Sequence, residues 1–416
     1  MKIKIRTKYL FYLLAITSSI ISSIVVGIDT AIRELFIQNP WAFGMSCFMV
    51  GIIVTLVITL ILSIPTGNGK SIGGRILDPS FKRIRLIRKE EIKYHIFAGF
   101  GNSILTISYF LLLTQFGDPS VVLPFSQIVI IYLLLIDSVA EKDVPTLVEV
   151  QSSVIVTFGA ILGSISLSGE ISLDSLLLVF LIYCPSWALF TIYQRRLKLL
   201  KIDKKPNDSI NIRFWNVIFA CIISMILVTI FDLFMNTNNM GEAITASIQH
   251  FWWVGLSMSA TFFSYVLYIR ALGIGKASIT QAVRSSIIIF TIPVSIFLAS
   301  IGIIPLFSLD PVWLIIKIFG VILIILGITS FAFTLVKAYI FIKLKTGYDI
   351  EKLMQDLWNI KGVSRVCAVA GKYDIILKIR TRTLVKGYEK IIKQIEKIEA
   401  IDEYKWESVL KEWEDI

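Results

Sequence analysis

The sequence is poor in the residues from which metal centres and catalytic sites are usually built. It has 4 cysteines and 2 histidines in 416 residues, and the cysteines lack the spacing of a zinc site or a disulfide framework. It contains no Walker loop, no His-Glu-x-x-His motif and no nucleophile elbow. These absences argue against an ATP-driven pump and against a membrane hydrolase. We therefore expect no enzyme activity, and predict no catalytic residue, no metal site and no cofactor.

Charged residues are also scarce, at 17%, whereas 56% of the residues are hydrophobic. That balance excludes an ordinary soluble fold. A membrane-spanning helix needs ~20 apolar residues to cross ~30 Å of hydrocarbon. Ten stretches meet this requirement: 9–28, 42–64, 94–115, 120–137, 147–166, 173–193, 212–234, 250–272, 278–298 and 312–336. The short fourth stretch and the close junction of the eighth and ninth leave nine or eleven spans open.

Lysine and arginine fall almost entirely on one side of the predicted membrane. With the amino terminus inside, 22 of them lie in inner loops and their margins, and only Arg33 lies in an outer loop. The positive-inside rule then places both termini in the cytoplasm of a multi-pass plasma-membrane protein. Residues 337–416 carry 16 basic and 13 acidic side chains, too balanced a mixture for nucleic-acid binding. The expected partners are the lipid bilayer and a small-molecule substrate.

Short sequence echoes divide the apolar region into two halves. Residues 158–162 read Phe-Gly-Ala-Ile-Leu and residues 319–323 read Phe-Gly-Val-Ile-Leu. Tyr109 and Gly117 likewise have counterparts in Tyr265 and Gly273. Since each half holds five predicted spans, the second half would be inverted relative to the first.

With these motifs the halves resemble the ten-helix, EamA-type members of the drug/metabolite transporter superfamily. The resemblance covers nearly all of residues 8–336 and includes Glu141 at the inner end of the fourth span. Two features depart from the pattern: the expected prolines are displaced to Pro124 and Pro293, and the second half has no counterpart of Glu141. The resemblance implies an all-α polytopic fold of two inverted five-helix repeats, at about 8–166 and 173–336. It also implies transport of a small organic metabolite.

In that family a central cavity is formed by helices that include the third, fourth, eighth and ninth. Polar residues within a bilayer tend to face such a cavity, although they also tie helices together by hydrogen bonds. The substrate-cavity candidates, chosen by helix and spacing, are Asn102, Thr106, Tyr109, Gln127, Thr261, Tyr265, Tyr268, Gln281 and Arg284. Arg284 either snorkels to the cytoplasmic headgroups or points into the cavity, where it would suit a carboxylate or phosphate.

Two further features of the predicted helices leave alternatives open. Pro185, in the middle of the sixth span, indicates either a gating kink or simple packing. No acidic residue is placed securely in the middle of the membrane, because Asp29, Asp137 and Asp232 are predicted near helix ends. The coupling ion and the direction of transport are not predicted.

From residue 338 the sequence becomes charged and alternating. Strands are predicted at 338–345, 363–369, 375–379 and 404–410, with helices from Asp349 and over 384–398. The order βαββαβ predicts a small α+β ferredoxin-like domain over 338–416, separate from the membrane domain at 1–336.

This segment resembles the Lrp/AsnC ligand-binding domain, through Gly362-Val363 and the run Val369-x-Gly371-x-Tyr373-Asp374 before an apolar strand. The resemblance implies a homodimer formed through the sheet and binding of a small ligand, typically an amino acid, near Gly371, Tyr373 and Asp374. The alternative is a purely structural turn. The combined prediction is a transporter of a small organic metabolite, such as an amino acid or a related compound. Its C-terminal domain is expected to regulate the transport. The alternative is a membrane sensor without transport, whose domain dimerises or senses a metabolite.

Overall fold

A computed structural model of the protein describes residues 7–66, 69–116, 122–123, 126–141, 147–164, 174, 177–202, 205–304, 311–333, 335–360, 363–382, 391–392 and 394–408. The chain divides into two compact units. One is formed by residues 1–143 and 153–327, and the other by residues 144–152 and 328–416.

Helices dominate the chain as far as residue 333. They are α1 Thr7–Leu35, α2 Pro40–Leu62, α3 Ile72–Ile76, α4 Lys89–Phe116, α5 Val129–Glu141, α6 Leu147–Ser164, α7 Cys184–Leu199, α8 Ser209–Met235, α9 Asn239–Gln249, α10 Phe251–Leu272, α11 Ala277–Arg284, α12 Ile287–Ser300 and α13 Pro311–Phe333. A short hairpin, β1 Lys201–Ile202 with β2 Lys205–Pro206, joins α7 to α8. The helix α9 and the single-turn helix α3 were not predicted from the sequence.

Within the part of the chain that the structure describes, six helical segments are long and apolar enough to cross a membrane. They are Tyr9–Leu35, Pro40–Leu62, Lys89–Gln115, Ser209–Met235, Phe251–Leu272 and Ala277–Ser300. These helices support a membrane protein, whereas ten spans remain a prediction. The predicted end of the last stretch, at residue 336, is too late, because α13 ends at Phe333 and a strand begins at Leu335.

The helices of the first unit approach closely where small residues face one another. A Cβ added to Gly101 of α4 would lie 2.8 Å from the backbone nitrogen of Phe190 in α7. A Cβ added to Gly159 of α6 would lie 2.7 Å from the carbonyl oxygen of Gly320 in α13. Small residues allow close backbone contact where the apolar solvent provides no drive for association. The glycines of the two echoed Phe-Gly pairs are therefore in direct contact.

Pro185 lies in the first turn of α7, directly after a π-helical turn at Leu178–Tyr183. The backbone N–H of Cys184 donates to the carbonyl of Val179, five residues earlier. Proline has no N–H and its ring crowds the carbonyl four residues before it, so a regular α-helix is kinked or broken at such a position. The widened turn accommodates the proline while the helix continues beyond it.

A polar cluster lies around Asp78, a residue outside the six spanning segments. The Nζ of Lys198 lies 2.6 Å from Oδ2 of Asp78, and both the backbone N–H and the hydroxyl of Ser209 donate to the same oxygen, at 2.8 and 2.7 Å. Next to it, Arg85 makes two 2.7 Å hydrogen bonds to the carboxylate of Glu91. These bonds connect the loop after α3 to α4, α7 and α8, and so hold one end of the helical unit together.

The second unit contains a four-stranded antiparallel sheet. Its strands are β3 Leu335–Leu344, β4 Val363–Ala368, β5 Ile375–Arg382 and β6 Ile401–Ser408, in the order β4-β5-β3-β6. One helix, α14 Ile350–Trp358, packs Leu353 and Leu357 onto the sheet, and its predicted cap Asp349 accepts from Glu351 N at 2.9 Å. The predicted helix over 384–398 falls largely outside the described residues, so the ferredoxin-like assignment remains a prediction.

The Asp78 cluster predicts a pH-dependent stability. Burial alone would raise the pKa of Asp78, but the charge of Lys198 and the hydrogen bonds from Lys198 and Ser209 outweigh burial and lower the pKa to about 2. A carboxyl whose folded pKa lies below its unfolded value of about 3.9 stabilises the fold above about pH 4, and this stabilisation is lost as the pH falls towards about 2. Asp78→Asn should therefore lower the melting temperature at neutral pH. The free energy of unfolding should fall by roughly 3–5 kcal/mol, because Lys198 stays buried without its carboxylate partner.

The measurement is thermal unfolding of the full-length protein in detergent, followed by tryptophan fluorescence across the acidic range. The difference between wild type and variant should shrink as the pH falls. Asp356→Asn, at an exposed position of α14, is the matched control. Equal melting temperatures for wild type and Asp78→Asn at neutral pH would contradict the predicted contribution.

Candidate functional site

A cavity of about 120 Å³ lies among the helices of the first unit. Its polar lining comes from α1, α2, α4, the π-helical turn before α7, and α7, α8, α10 and α11. It comprises Ser22, Asp29, Cys47, Asn102, Thr106, Tyr109, Tyr183, Trp187, Arg213, Ser257, Thr261, Ser264, Tyr265 and Arg284. An engineered cavity of about 150 Å³ is large enough for a benzene-sized ligand. The size therefore suits a small organic molecule.

Six of the candidates chosen from the sequence line this cavity: Asn102, Thr106, Tyr109, Thr261, Tyr265 and Arg284. The first three follow one face of α4 at helical spacing, and Thr261 and Tyr265 follow one face of α10. The side-chain amide of Asn102 donates to Asn216 Oδ1 at 3.1 Å, which fixes its orientation. The Tyr109 hydroxyl has no protein partner.

The other three candidates form a buried cluster outside the cavity lining. Tyr268 donates to Gln281 Oε1 at 3.1 Å, and the Gln281 amide donates to Gln127 Oε1 at 3.2 Å. The hydroxyl of Ser285 also donates to Gln127 Oε1, at 2.8 Å. These contacts join α10 and α11 to Gln127, which lies just before α5. Gln127 and Gln281 therefore tie helices together by hydrogen bonds and do not line the cavity.

Arg284 points inwards and is 4% exposed. Its Nη2 donates to Ser22 Oγ at 2.9 Å, while Nε and Nη1 have no protein partner. The guanidinium carbon lies 4.4 Å from the ring centre of Tyr268 and 5.2 Å from that of Tyr265. Of the two placements considered from the sequence, Arg284 occupies the one in the cavity.

Arg213 is a second buried arginine in the lining, and it was not among the cavity residues predicted from the sequence. It lies in the second turn of α8, is 2% exposed, and its guanidinium carbon lies 4.5 Å from the centre of the Tyr265 ring. Its only described hydrogen bond is a long one of 3.5 Å to Asn216. From the sequence, Arg213 was counted among the positive charges at the inner margin of the predicted span 212–234. The useful signal was that an arginine stands inside a helix otherwise rich in apolar residues.

Together these two guanidiniums make one end of the cavity strongly cationic. Among the described residues, neither has a carboxylate within ion-pair distance. The faces of Tyr265 and Tyr268 offset part of the charge by cation–π attraction. Free N–H groups on a buried guanidinium favour binding of a carboxylate or phosphate, through charge-assisted hydrogen bonds.

Asp29 contributes a carboxyl group to the same cavity. From the sequence, Asp29 was predicted to lie near a helix end. In the structure, α1 continues to Leu35 and Asp29 is only 5% exposed. The hydroxyl of Ser257 on α10 donates to its Oδ1 at 2.5 Å. Arg33, one turn further along α1, donates to the Leu113 carbonyl and pairs with Glu34. Asp29 thus faces the cavity without an ion-pair partner among the described residues.

In the second unit, Asp374 stabilises the predicted Gly-x-Tyr-Asp turn. Its Oδ2 accepts from the backbone N–H of Leu344 at 2.7 Å, and its own N–H donates to the Ile342 carbonyl at 2.9 Å. The Tyr373 ring packs against Phe341, with centroids 5.6 Å apart. A Cβ added to Gly371 would meet no atom within 4 Å, and its φ is not in the left-handed region. Gly371 therefore faces open space, whereas Asp374 has a structural role.

Comparison with known proteins gives a match for the C-terminal segment. Residues 337–415 match the model of the Lrp/AsnC ligand binding domain, which confirms the prediction of that domain. No curated protein matches the chain. One solved structure, titled only "Crystal structure of protein", shares 11% identity with a TM-score of 0.44, over 76% of this chain and 97% of its own. The chain thus combines membrane-capable helices with an Lrp/AsnC ligand-binding domain at its carboxyl end.

Proposed function

We propose that the protein transports a small organic metabolite that carries an anionic group, and that it does so without enzymatic chemistry. The observation that carries the proposal is the pair Arg213 and Arg284, two buried guanidiniums that line one cavity and have no ion-pair partner among the described residues. A buried charge without a partner is costly in apolar surroundings. A bound anion would relieve that cost.

The resemblance to EamA-type drug/metabolite transporters supports this reading. The contact between Gly159 and Gly320, which belong to the two echoed motifs, is what an internal repeat would produce. In such folds the substrate lies at the interface between repeats, and movement of one repeat against the other exposes it alternately to the two sides. We propose the ten-helix, two-repeat architecture on the same basis, with both termini in the cytoplasm.

The C-terminal domain is proposed to regulate this transport. Lrp/AsnC ligand-binding domains resembling this one bind small molecules and pair through their sheets, so a homodimer is expected. Binding of a metabolite to this domain would change the affinity or rate of the membrane unit by a coupling free energy of about 1–3 kcal/mol. The turn at Gly371 is exposed and leaves room for a ligand or a partner chain.

A membrane sensor is the second candidate function. The Lrp/AsnC domain favours it, because a ligand-binding domain attached to membrane helices suits signalling as well as transport. Flux through the purified protein distinguishes the two functions, since a sensor binds the ligand without moving it.

Proteoliposomes containing the full-length protein should take up labelled anionic metabolites from a panel of amino acids and dicarboxylates. Arg284→Gln and Arg213→Gln should each weaken half-saturation by roughly 10- to 100-fold, because each removes charge-assisted hydrogen bonds of about 1.5–3 kcal/mol. Arg83→Gln, at an exposed position between α3 and α4, is the matched control. Absence of flux for every anion in the panel would exclude transport of this class.

Truncation of the chain after Phe333 removes the whole C-terminal sheet and leaves α13 complete. The truncated protein should retain flux and lose any response to amino acids added on the cytoplasmic side. Gly371→Trp should also abolish the response, because the side chain fills the open space at the turn, while the melting temperature stays unchanged. A response that survives both changes would show that the domain does not regulate the membrane unit.

A further inference from the structure

The cavity has opposite charges at two ends. Its arginine end comprises Arg213 and Arg284, both stacked against Tyr265. Its aspartate end comprises Asp29 and the hydroxyl of Ser257. All five residues line the same cavity, so one ligand can touch both ends.

The axial rise along α1 and α10, which carry residues of both ends, gives the approximate separation of the two ends. On α1, Asp29 lies seven residues beyond Ser22, the anchor of Arg284, which corresponds to ~10 Å at 1.5 Å per residue. On α10, Ser257 lies eight residues before Tyr265, which corresponds to ~12 Å. A hydrogen bond of about 2.8 Å at each end leaves about 4–6 Å between the cationic and anionic groups of a ligand that spans the cavity.

The charges in the lining define what such a ligand must carry. Among the described lining residues there are two positive charges, on Arg213 and Arg284, and one negative charge, on Asp29. Arg33 is engaged with Glu34 and the Leu113 carbonyl, so it does not neutralise Asp29. Since uncompensated charges are costly in an apolar environment, the best complement has one positive and two negative charges.

We infer that the cavity binds an amphoteric metabolite with one positive and two negative charges, whose ammonium group lies on Asp29 and whose distal acidic group lies on Arg213 and Arg284. This inference rests on the proposed transport function and specifies its substrate class. An acidic amino acid and an aminoalkyl phosphate share this chemistry. In L-glutamate the ammonium lies four bonds from the side-chain carboxyl carbon, about 5 Å when extended, and in phosphoethanolamine it lies four bonds from phosphorus.

One unpaired polar group adds to the fit. The hydroxyl of Tyr109 lines the cavity and has no protein hydrogen-bond partner. Buried polar atoms are normally hydrogen-bonded. A hydroxyl can donate or accept, so a polar ligand in this cavity can satisfy it.

The test is calorimetric titration of the unmodified, full-length protein in detergent with five probes at neutral pH. L-glutamate and phosphoethanolamine have all the required charges and separate the two sources. Glutarate lacks the ammonium, γ-aminobutyrate lacks one negative charge, and glycine is too short to span the cavity. At least one of the first two should bind about tenfold or more tightly than each of the other three. Equal binding of glutarate, or no binding of either complete ligand, would overturn the inference.

The role of Asp29 is tested with the matched pair Asp29→Asn and Asp356→Asn. Asp29→Asn should weaken binding of the preferred ligand about tenfold or more and leave glutarate within about twofold, whereas Asp356→Asn should change neither. Should Asp29→Asn not be recovered as folded protein, the ligand series on the unmodified protein decides alone. Anion flux that depends on Arg213 and Arg284 but does not discriminate glutamate from glutarate would refute this inference and leave the proposed transport intact.

Discussion

The burial of two guanidiniums in an apolar helical unit is the constraint on which the site and its packing both depend. Removing such a group from water costs several kcal/mol unless its surroundings compensate. The compensation for Arg284 comes from three helices, through Ser22 on α1, Trp187 on α7 and the tyrosines of α10. Two of these helices, α1 and α10, are also joined by the Ser18 hydroxyl, which donates to the Ser264 carbonyl at 3.0 Å. The helices that surround Arg284 are therefore also held together by their own hydrogen bonds.

Local patterns in the sequence were sufficient to place part of the cavity. Asn102, Thr106 and Tyr109 follow the helical repeat, and a repeat identifies one face without knowledge of the neighbours. Asp29 and Arg213 were assigned to helix margins because an apolar stretch marks only the region that contacts hydrocarbon. Both helices continue beyond their apolar stretches, to Leu35 and back to Ser209. Burial of a charge at such a margin depends on helices distant in the sequence.

The C-terminal unit shows the same division between local and distant information. Alternation predicted its strands, and the position of Asp349 before an amphipathic segment predicted its cap. The role of Asp374 was not predictable in this way. Its carboxylate accepts from Leu344, thirty residues earlier, and that contact exists only because β3 pairs with β5. Sequence reasoning therefore identified the turn as important without establishing whether its aspartate holds the fold or a ligand.

The π-helical turn before Pro185 has a consequence for the motion of its helix. A π-helical bond spans one residue more than an α-helical bond, so the residues after the turn are rotated by ~100° relative to their positions in an unbroken α-helix. Tyr183 and Trp187, at and after the turn, face the cavity, whereas Leu181 is 69% exposed. Shifting the extra residue by one position would rotate a short length of the helix and leave the rest in place. Such a local rotation would move Tyr183 relative to the cavity without tilting the helix as a whole.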